Sequence, residues 1–423
     1  MGKYKNIIFD FDGTLVNTTP LIVATMQATV RQLGLPPRSD AECTSTIGLR
    51  LEEIPAVLWP GNEMATTDFP KTYRRIFDEL KRPLDVQCFP GVLETLKILH
   101  DTGHNMAIAS SRSHKSLDEY VNLVGIADYF SMLIGGNDVR TGKPSPEPVL
   151  TILGHCRWEA AETITVGDAP VDIQMGNSAG TATCAVTYGN GKSEELQSAH
   201  PTYMISSFET LIPIIKGIKP DIIDYIEREI IPRYDSFDKA HRRDHVRMVI
   251  AQSLKLADGL PELDPEMIYC IAAFHDLGLV NGRENHHIDS GKILETDSFI
   301  RKHFTADMIA VMKQAVEDHR ASGKTAPRSE YGKIVADADR FIDAETIIRR
   351  TVQYGLANYP ELDREGHYQR TLSHLTDKYG PDGYLRVWLP WSDNTARLRK
   401  LHAIIADSNL LRDIFDRIFD SEA

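Results

Sequence analysis

Ile7-Ile8-Phe9-Asp10-Phe11-Asp12-Gly13-Thr14 is the stretch that decides how the first half of this chain reads. A short apolar run of branched and aromatic residues predicts a buried strand. Two carboxylates, Asp10 and Asp12, follow it directly. That is the carboxyl end of a strand, where open α/β sheets bind their ligands. Carboxylates this close repel one another unless a cation lies between them or one keeps its proton. Mg2+ suits oxygen ligands of this kind. One carboxylate can then attack phosphorus while the other gives and takes protons.

The same pattern recurs outward from this segment. Apolar runs ending in Gly, Ser or Asp stand at Met106–Ser111, Met132–Gly136, Ile164–Asp168 and Ala182–Gly189. Helical periodicity lies between them, as in Gly91–His100 and Lys115–Val124. Strands separated by helices imply parallel βαβ units and a doubly wound, Rossmann-like sheet. Residues from about 18 to 86 break the rhythm with helical patterning alone and read as an inserted helical cap. Each strand end carries chemistry. Ser110 can donate to a phosphoryl oxygen, Lys143 in Thr141-Gly142-Lys143-Pro144 offers a cation, and Asp168 and Asp172 form a second acid pair. Acid pair, hydroxyl, lysine and acid pair, in that order, are what phosphoryl transfer through an aspartyl phosphate requires.

Residues 3–215 therefore resemble the haloacid dehalogenase (HAD) superfamily in its capped phosphatase branch. The resemblance implies Asp10 as nucleophile and Asp12 as general acid/base. It also implies a Mg2+ site made by the Asp10 carboxylate, the Asp12 backbone carbonyl and Asp168, supported by Asp172. Ser110 and Lys143 would bind phosphate, with Thr14 and Ser111 as further substrate contacts. The second acid, Asp12, favours phosphate esters, because an ester oxygen needs a proton to leave. Asn17 departs from the Asp many relatives carry, with little expected consequence. Ile47-Gly48-Leu49-Arg50 looks like a cap loop that dips toward the active site, so Arg50 is either a contact for a second anionic group or a surface arginine. A Schiff-base role for Lys71 or Lys81 would imply phosphonoacetaldehyde chemistry, but nothing marks either lysine as buried.

Residues 216–222 carry Gly and Pro between two differently patterned regions, so we place a linker there, after a first domain of 1–215. From 223 to 423 strand signals nearly vanish. Helices are expected at 221–229, 244–257, 265–274, 289–294, 305–318, 332–350 and 394–418. Ten of the 15 histidines fall after residue 240, several beside acids inside apolar segments: Asp244-His245, His275-Asp276, His286-His287, Asp318-His319 and the run Asp337-Ala338-Asp339-Arg340. Polar groups on core-facing positions are costly unless bonded, and their recurrence suggests metal ligands. Imidazole with carboxylate suits Mn, Fe, Co, Ni or Zn. Consecutive helical residues diverge by about 100°, so His275 and Asp276 can share an ion only at a helix end, and Gly278 supports one there.

Roughly 222–350 resemble the HD superfamily of metal-dependent phosphohydrolases, an all-α fold, with a helical extension to 423. That resemblance implies His245, His275, Asp276 and a late Asp as ligands of Mn2+, Fe or another transition metal. Asp339, which precedes Arg340, is our choice, with Asp337 the alternative. His287 and His319 match the additional histidines of two-metal members; the other reading has them contact substrate phosphate around one ion. His286 is expected to face away from His287 into solvent. Arg283, Arg320, Lys324 and Arg328 lie near enough in sequence to hold a polyphosphate. The aromatic and proline-rich stretch 354–391 reads as packing particular to this domain.

Composition narrows the partners. A net charge of -13 argues against stable nucleic-acid binding. No run approaches the ~18 apolar residues of a membrane span. The five scattered cysteines, without a CxxC pair, and an N-terminus without a signal-peptide core point to a reduced, cytoplasmic setting. The expected partner is a small phosphorylated molecule, a sugar phosphate or a nucleotide. The expected activity is twofold: phosphomonoester hydrolysis in the first domain, and phosphodiester or phosphoanhydride hydrolysis, of a nucleotide, in the second. The alternatives are a single phosphatase or phosphomutase with a nucleotide-sensing helical domain, and a binding-only protein, in which the Asp10/Asp12 pair would be idle.

Overall fold

A computed structural model describes residues 2–80, 86–238, 241–320, 325–340 and 342–422. Lys81 and Lys324 lie outside the described residues. The chain divides into two compact units, Met1–Ile218 and Lys219–Ala423.

The first unit is a six-stranded, all-parallel sheet. Its strands are β1 (Asn6–Phe9), β2 (Asn105–Ala109), β3 (Met132–Ile134), β4 (Thr163–Gly167), β5 (Ala182–Val186) and β6 (Tyr203–Ile205), in the order β3-β2-β1-β4-β5-β6. β1 pairs with β2 on one side and β4 on the other. The direction of winding reverses between β1 and β4, and the crevice beyond the carboxyl ends of strands at such a point is where open sheets take ligands. Every residue of β1 and β4 is buried, as expected for central strands covered on both faces. The sequence reading gave five strands. It missed β6, a three-residue edge strand with an exposed Met204 and no apolar run to announce it.

Helices Thr19–Leu33, Asp40–Thr44, Ile54–Leu58 and Glu63–Leu80 form the insertion between β1 and β2. Phe69 and Phe77 of the longest are buried, and Trp59 packs on Phe69 with ring centroids 5.3 Å apart.

Among its described residues the second unit is all helical. Two helices expected as single pieces are each broken in two. The 332–350 segment becomes Glu330–Ala338 and Ala344–Asn358, and the 394–418 segment becomes Asp393–Ala406 and Ser408–Glu422. An aspartate causes each restart. Asp343 accepts the Thr346 amide at 2.9 Å, and Asp407 accepts the Asn409 and Leu410 amides at 3.1 Å. Aspartate at an N-cap satisfies donors the new helix leaves open. Helices from Ala344 onward build their own core around Ile348, Leu375, Leu401, Leu411 and Phe415.

Candidate functional site

Asp10 follows β1 and Asp168 follows β4, so neighbouring strands deliver both carboxylates to the crevice. Asp172 joins them from the first turn of the helix Pro170–Ser178. Ligand atoms of the three lie within 4.8 Å of one another, and all three residues are buried. Lys143 bridges the group, donating to Asp10 and, at 2.6 Å, to Asp172. Burial and the neighbouring charges of Asp172 and Asp168 push the Asp10 carboxyl well above its usual range, against the opposing pull of Lys143. Burial and Asp172 push Asp168 up to about 7. Three buried carboxylates facing a single lysine form a cluster short of positive charge, and an oxygen-only donor set of this kind fits a hard divalent cation.

Glycines let this cluster close. Gly13 sits at φ 91°, and a side chain there would strike the Asp168 carboxylate and Asn190. Gly189 and Gly191 in the loop after β5 leave room for Asp168 in the same way, and the Asn190 amide donates to Asp168 at 2.7 Å. The sequence reading missed this Gly-Asn-Gly loop. Its signal was the position after β5, beside the strand that carries Asp168.

A cavity of about 660 Å3 opens above the cluster, lined by Asp10, Asp12, Ser110, Ser111 and Arg50 and by cap residues including Met26, Leu51 and Phe77. The Asp12 carboxylate lies outside the three-carboxylate group. Arg112 Nη2 donates to it at 2.5 Å and Thr18 at 2.6 Å. Arg112, also unforeseen, is nearly buried, with its guanidinium 4.6 Å from the Tyr120 ring centre.

Of the three expected substrate contacts, Ser111 and Arg50 line the cavity and Thr14 does not, and all three hydrogen-bond within the protein. Thr14 is fully buried, does not line the cavity, and donates its hydroxyl to Asp168 at 2.8 Å, so it supports the carboxylate cluster. The Ser111 hydroxyl donates to the Gly48 carbonyl of the cap loop at 2.6 Å. Arg50 donates to the Val139 and Arg140 carbonyls, each at 3.0 Å, which fastens the cap loop to the segment before Lys143. Lys71 is exposed on the cap surface, which removes the basis for a Schiff base there.

The helical unit builds its site from helix ends. His245 lies in the first turn of Arg243–Leu256. His275 directly follows Pro265–Phe274, and Asp339 directly follows Glu330–Ala338. The His275-Asp276 pair converges because the helix stops there: His275 Nε2 lies 3.3 Å from Asp276 Oδ2. His245, His275 and Asp339 form one group, and Asp276, His286 and His319 a second. Asp276 joins the two. Its Oδ2 faces His245 and His275 at 3.7 and 3.3 Å, and its Oδ1 faces His286 and His319 at 3.6 and 3.3 Å.

Backbone carbonyls fix three of the imidazoles. His275 Nδ1 is 2.8 Å from Ala272 O, His286 Nδ1 2.8 Å from Arg283 O, and His319 Nδ1 2.6 Å from Val316 O. Each contact leaves Nε2 facing the cluster as a lone-pair donor. Two carboxylates shared among four imidazoles fit borderline transition ions.

The expected roles of the adjacent histidines are reversed. His286 turns into the cluster. His287 stays outside both groups, with a buried Nδ1 that has no hydrogen-bond partner, and burial together with Arg320 lowers its pKa to about 4. As the first residue of His286–Thr296, three positions earlier than the helix expected at 289–294, His286 has its ring tied back to the Arg283 carbonyl, which aims it at the cluster rather than at solvent. Asp339 rather than Asp337 reaches the cluster. Asp337 is fully buried and accepts the Trp388 and Leu389 amides and Arg340. Burial alone would lower the His245 pKa, but Asp276 and Asp339 raise it to about 10, while His245 and His275 overcome burial to hold Asp339 down at about 2. Of the expected polyphosphate contacts, Arg320 lines the cluster's cavity, Arg328 is paired with Asp318 and Glu317, and Arg283 with Asp238.

A family profile described as haloacid dehalogenase-like hydrolase matches residues 7–186, which span β1 to β5 and the carboxylate cluster. The chain is 32% identical to the probable phosphatase IndB of Dickeya dadantii over 49% of this chain and 91% of that protein. It is 31% identical to a phosphoglycolate phosphatase of Yersinia pseudotuberculosis, over 51% and 96%, and 31% identical to the pyrophosphatase PpaX of Bacillus pumilus, over 50% and 96%. The chain belongs to the haloacid dehalogenase-like hydrolases. In this hydrolase the family's fold is followed by an HD domain, matched over residues 242–343, which holds four of the six clustered His and Asp residues at helix ends, with Asp276 and His319 each two residues past the end of a helix. No described helix is long and apolar enough to cross a membrane, and the five cysteines are unpaired.

Proposed function

We propose that the chain is a bifunctional phosphohydrolase: a phosphomonoesterase in the HAD-like unit and a phosphodiesterase or phosphoanhydride hydrolase in the HD domain, acting on small phosphorylated molecules. The observation that carries this reading is that each unit assembles its own ligand cluster, fully buried in the first unit and part-buried in the second, and that the clusters of the two units share no residue.

In the HAD-like unit Asp10, Asp168 and the Asp12 backbone carbonyl would hold Mg2+, with Asp172 behind them. A divalent ion there supplies positive charge to the phosphoryl oxygens and to the Asp10 carboxylate. Asp10 attacks phosphorus, and the P–O bond to the leaving alcohol breaks as Asp12 gives that oxygen its proton. Water then attacks the same phosphorus, Asp12 takes the water's proton, and the aspartyl P–O bond breaks to restore Asp10 and release phosphate. Ser110 and Lys143 stand beside Asp10 to steady the phosphoryl group. The named activities of the similar phosphatases support this half of the reading.

In the HD domain His245, His275, Asp276 and Asp339 would hold one transition ion, and Asp276, His286 and His319 a second. Such ions supply a nucleophile at neutral pH and clamp the scissile phosphate. The residues' own part is to present neutral Nε2 atoms and two ionised carboxylates in a fixed array. An HD domain that only senses nucleotides would not need Asp276 to face two histidine groups at once.

The test is a phosphate-release screen with Asp10→Asn and His275→Ala made separately in the full chain. Each variant is expected to lose a different activity, Asp10→Asn by roughly 10^4-fold or more. Loss of both activities in either variant, or of neither in His275→Ala, would contradict the reading.

A further inference from the structure

Lys378 and Tyr384, two of the eight residues lining the cavity over the helical clusters, come from beyond residue 343, where the HD domain match ends. Their placement is built into the fold. Lys378 lies in the last turn of the helix Arg364–Tyr379. The chain then folds back on that turn: the Tyr384 amide donates to Asp377 O at 3.1 Å and the Leu385 amide to Lys378 O at 3.0 Å. A side chain at Gly383 would come within 2.7 Å of the Lys378 backbone, so the fold-back depends on that glycine. Farther on, the Trp388 and Leu389 amides hold the Asp337 carboxylate, and Asn394 donates to the carbonyls of Asp337 and Arg340, which flank Asp339. One extension thus braces the turn presenting a cluster carboxylate and carries a cation and a phenol to the same cavity.

Neither group is used within the described residues. The Lys378 ammonium has no ion pair and lies 5.0 Å above the Tyr379 ring, and Tyr384 is 49% exposed although Gly383 and Leu385 beside it are buried. Arg320 lines the same cavity, with its Nη1 anchored to Glu284 O at 2.7 Å. The cavity measures about 220 Å3, room for the doubly anionic part of a ligand.

We propose that Lys378 and Tyr384 are substrate-binding residues of the helical site. With Arg320 they hold the second negative group of a doubly anionic phosphoester or phosphoanhydride whose first phosphate faces the His/Asp clusters. The proposal rests on the metal-site reading of the HD domain and narrows its substrate to molecules that present two anionic groups. Cations set apart from a metal cluster discriminate by charge-assisted hydrogen bonds to the anion the metals do not hold.

The experiment is calorimetric titration of Mn2+-loaded full chain, freed of excess metal. It is run in an Asp168→Asn background so that the HAD-like unit offers no metal-held phosphate. The probes are methylenebisphosphonate and inorganic phosphate. Lys378→Gln is expected to weaken the bisphosphonate by about tenfold and phosphate by less than about twofold, with Mn2+ content unchanged. Lys378→Arg is expected to restore most of the affinity, which separates charge recognition from misfolding, and Tyr384→Phe to cost about threefold. Unchanged bisphosphonate affinity in Lys378→Gln, with binding still lost in His275→Ala, would overturn the assignment of the extension alone. Undiminished binding in His275→Ala would overturn the metal-site reading itself.

Discussion

The two clusters answer the same electrostatic problem in opposite ways. At the strand ends of the first unit three carboxylates face one lysine, and Asp10 and Asp168 are driven upward, Asp168 to about 7. At the helix ends of the second unit two carboxylates face four imidazoles, and Asp339 is driven down to about 2. The oxygen cluster carries more negative charge than its surroundings neutralise, so a divalent ion completes it. In the mixed cluster two protonated imidazoles are enough to offset the two carboxylates, so a metal there must displace protons from groups such as His245, whose pKa is raised to about 10. The difference teaches that one chain can assemble two ligand clusters of opposite charge balance, an oxygen-only one and a mixed imidazole–carboxylate one, whose protonation responds oppositely to pH.

The largest expected effect bears on Asp12, the proposed proton carrier of the first site. Asp12→Asn should lower phosphomonoester turnover by about 10^3-fold while leaving metal retention by the HD domain unchanged. Steady-state rates with Mg2+, set beside metal content, check this; a loss in both would break the separation of the two sites. Next comes the pair of adjacent histidines. His286→Ala should weaken binding of a second transition ion by about 10- to 100-fold, and His287→Ala by less than about threefold. Metal titration of the two variants decides between them, and equal losses would return His287 to the ligand set.

The smallest effect concerns stability. An acid whose folded pKa is raised binds more protons when folded than when unfolded, so the metal-free first unit loses stability as pH rises from about 4 toward 7. Mg2+ should therefore raise the melting temperature of the full chain by a few degrees at pH 7.5 and by little at pH 5. Asp339 works in the other sense, since its depressed pKa gives stability that is lost only as pH falls from about 4 toward 2. A Mg2+ gain equal at both pH values would undo the contrast.

Much of this was legible in the sequence because strand-end acids and helix-end histidines are short-range signals. Asp10, Asp168 and Asp172 announced themselves by following apolar runs, and His275-Asp276 by the glycine two residues on. What escaped depended on contacts between distant segments. Arg112 grips Asp12 across 100 residues, Asn190 and its glycines shelter Asp168 from the loop after β5, and Thr14 turns away from the cavity toward Asp168. His286 and His287 could not be told apart by periodicity, because what sets the ring that enters the cluster is its contact with Arg283 O, before the helix begins. Trp388 and Leu389, whose amides hold Asp337 beside the turn that presents Asp339, lie some fifty positions beyond it, in a stretch the sequence identified only as packing.

The most direct test of the central claim is elemental analysis of the full chain after dialysis against metal-free buffer, beside Asp168→Asn and His275→Ala. The account predicts that the parent and Asp168→Asn retain transition metal, up to two ions per chain, and that His275→Ala retains little. Equal retention in all three, or none in the parent after reloading with Mn2+, Fe2+ or Zn2+, would contradict it.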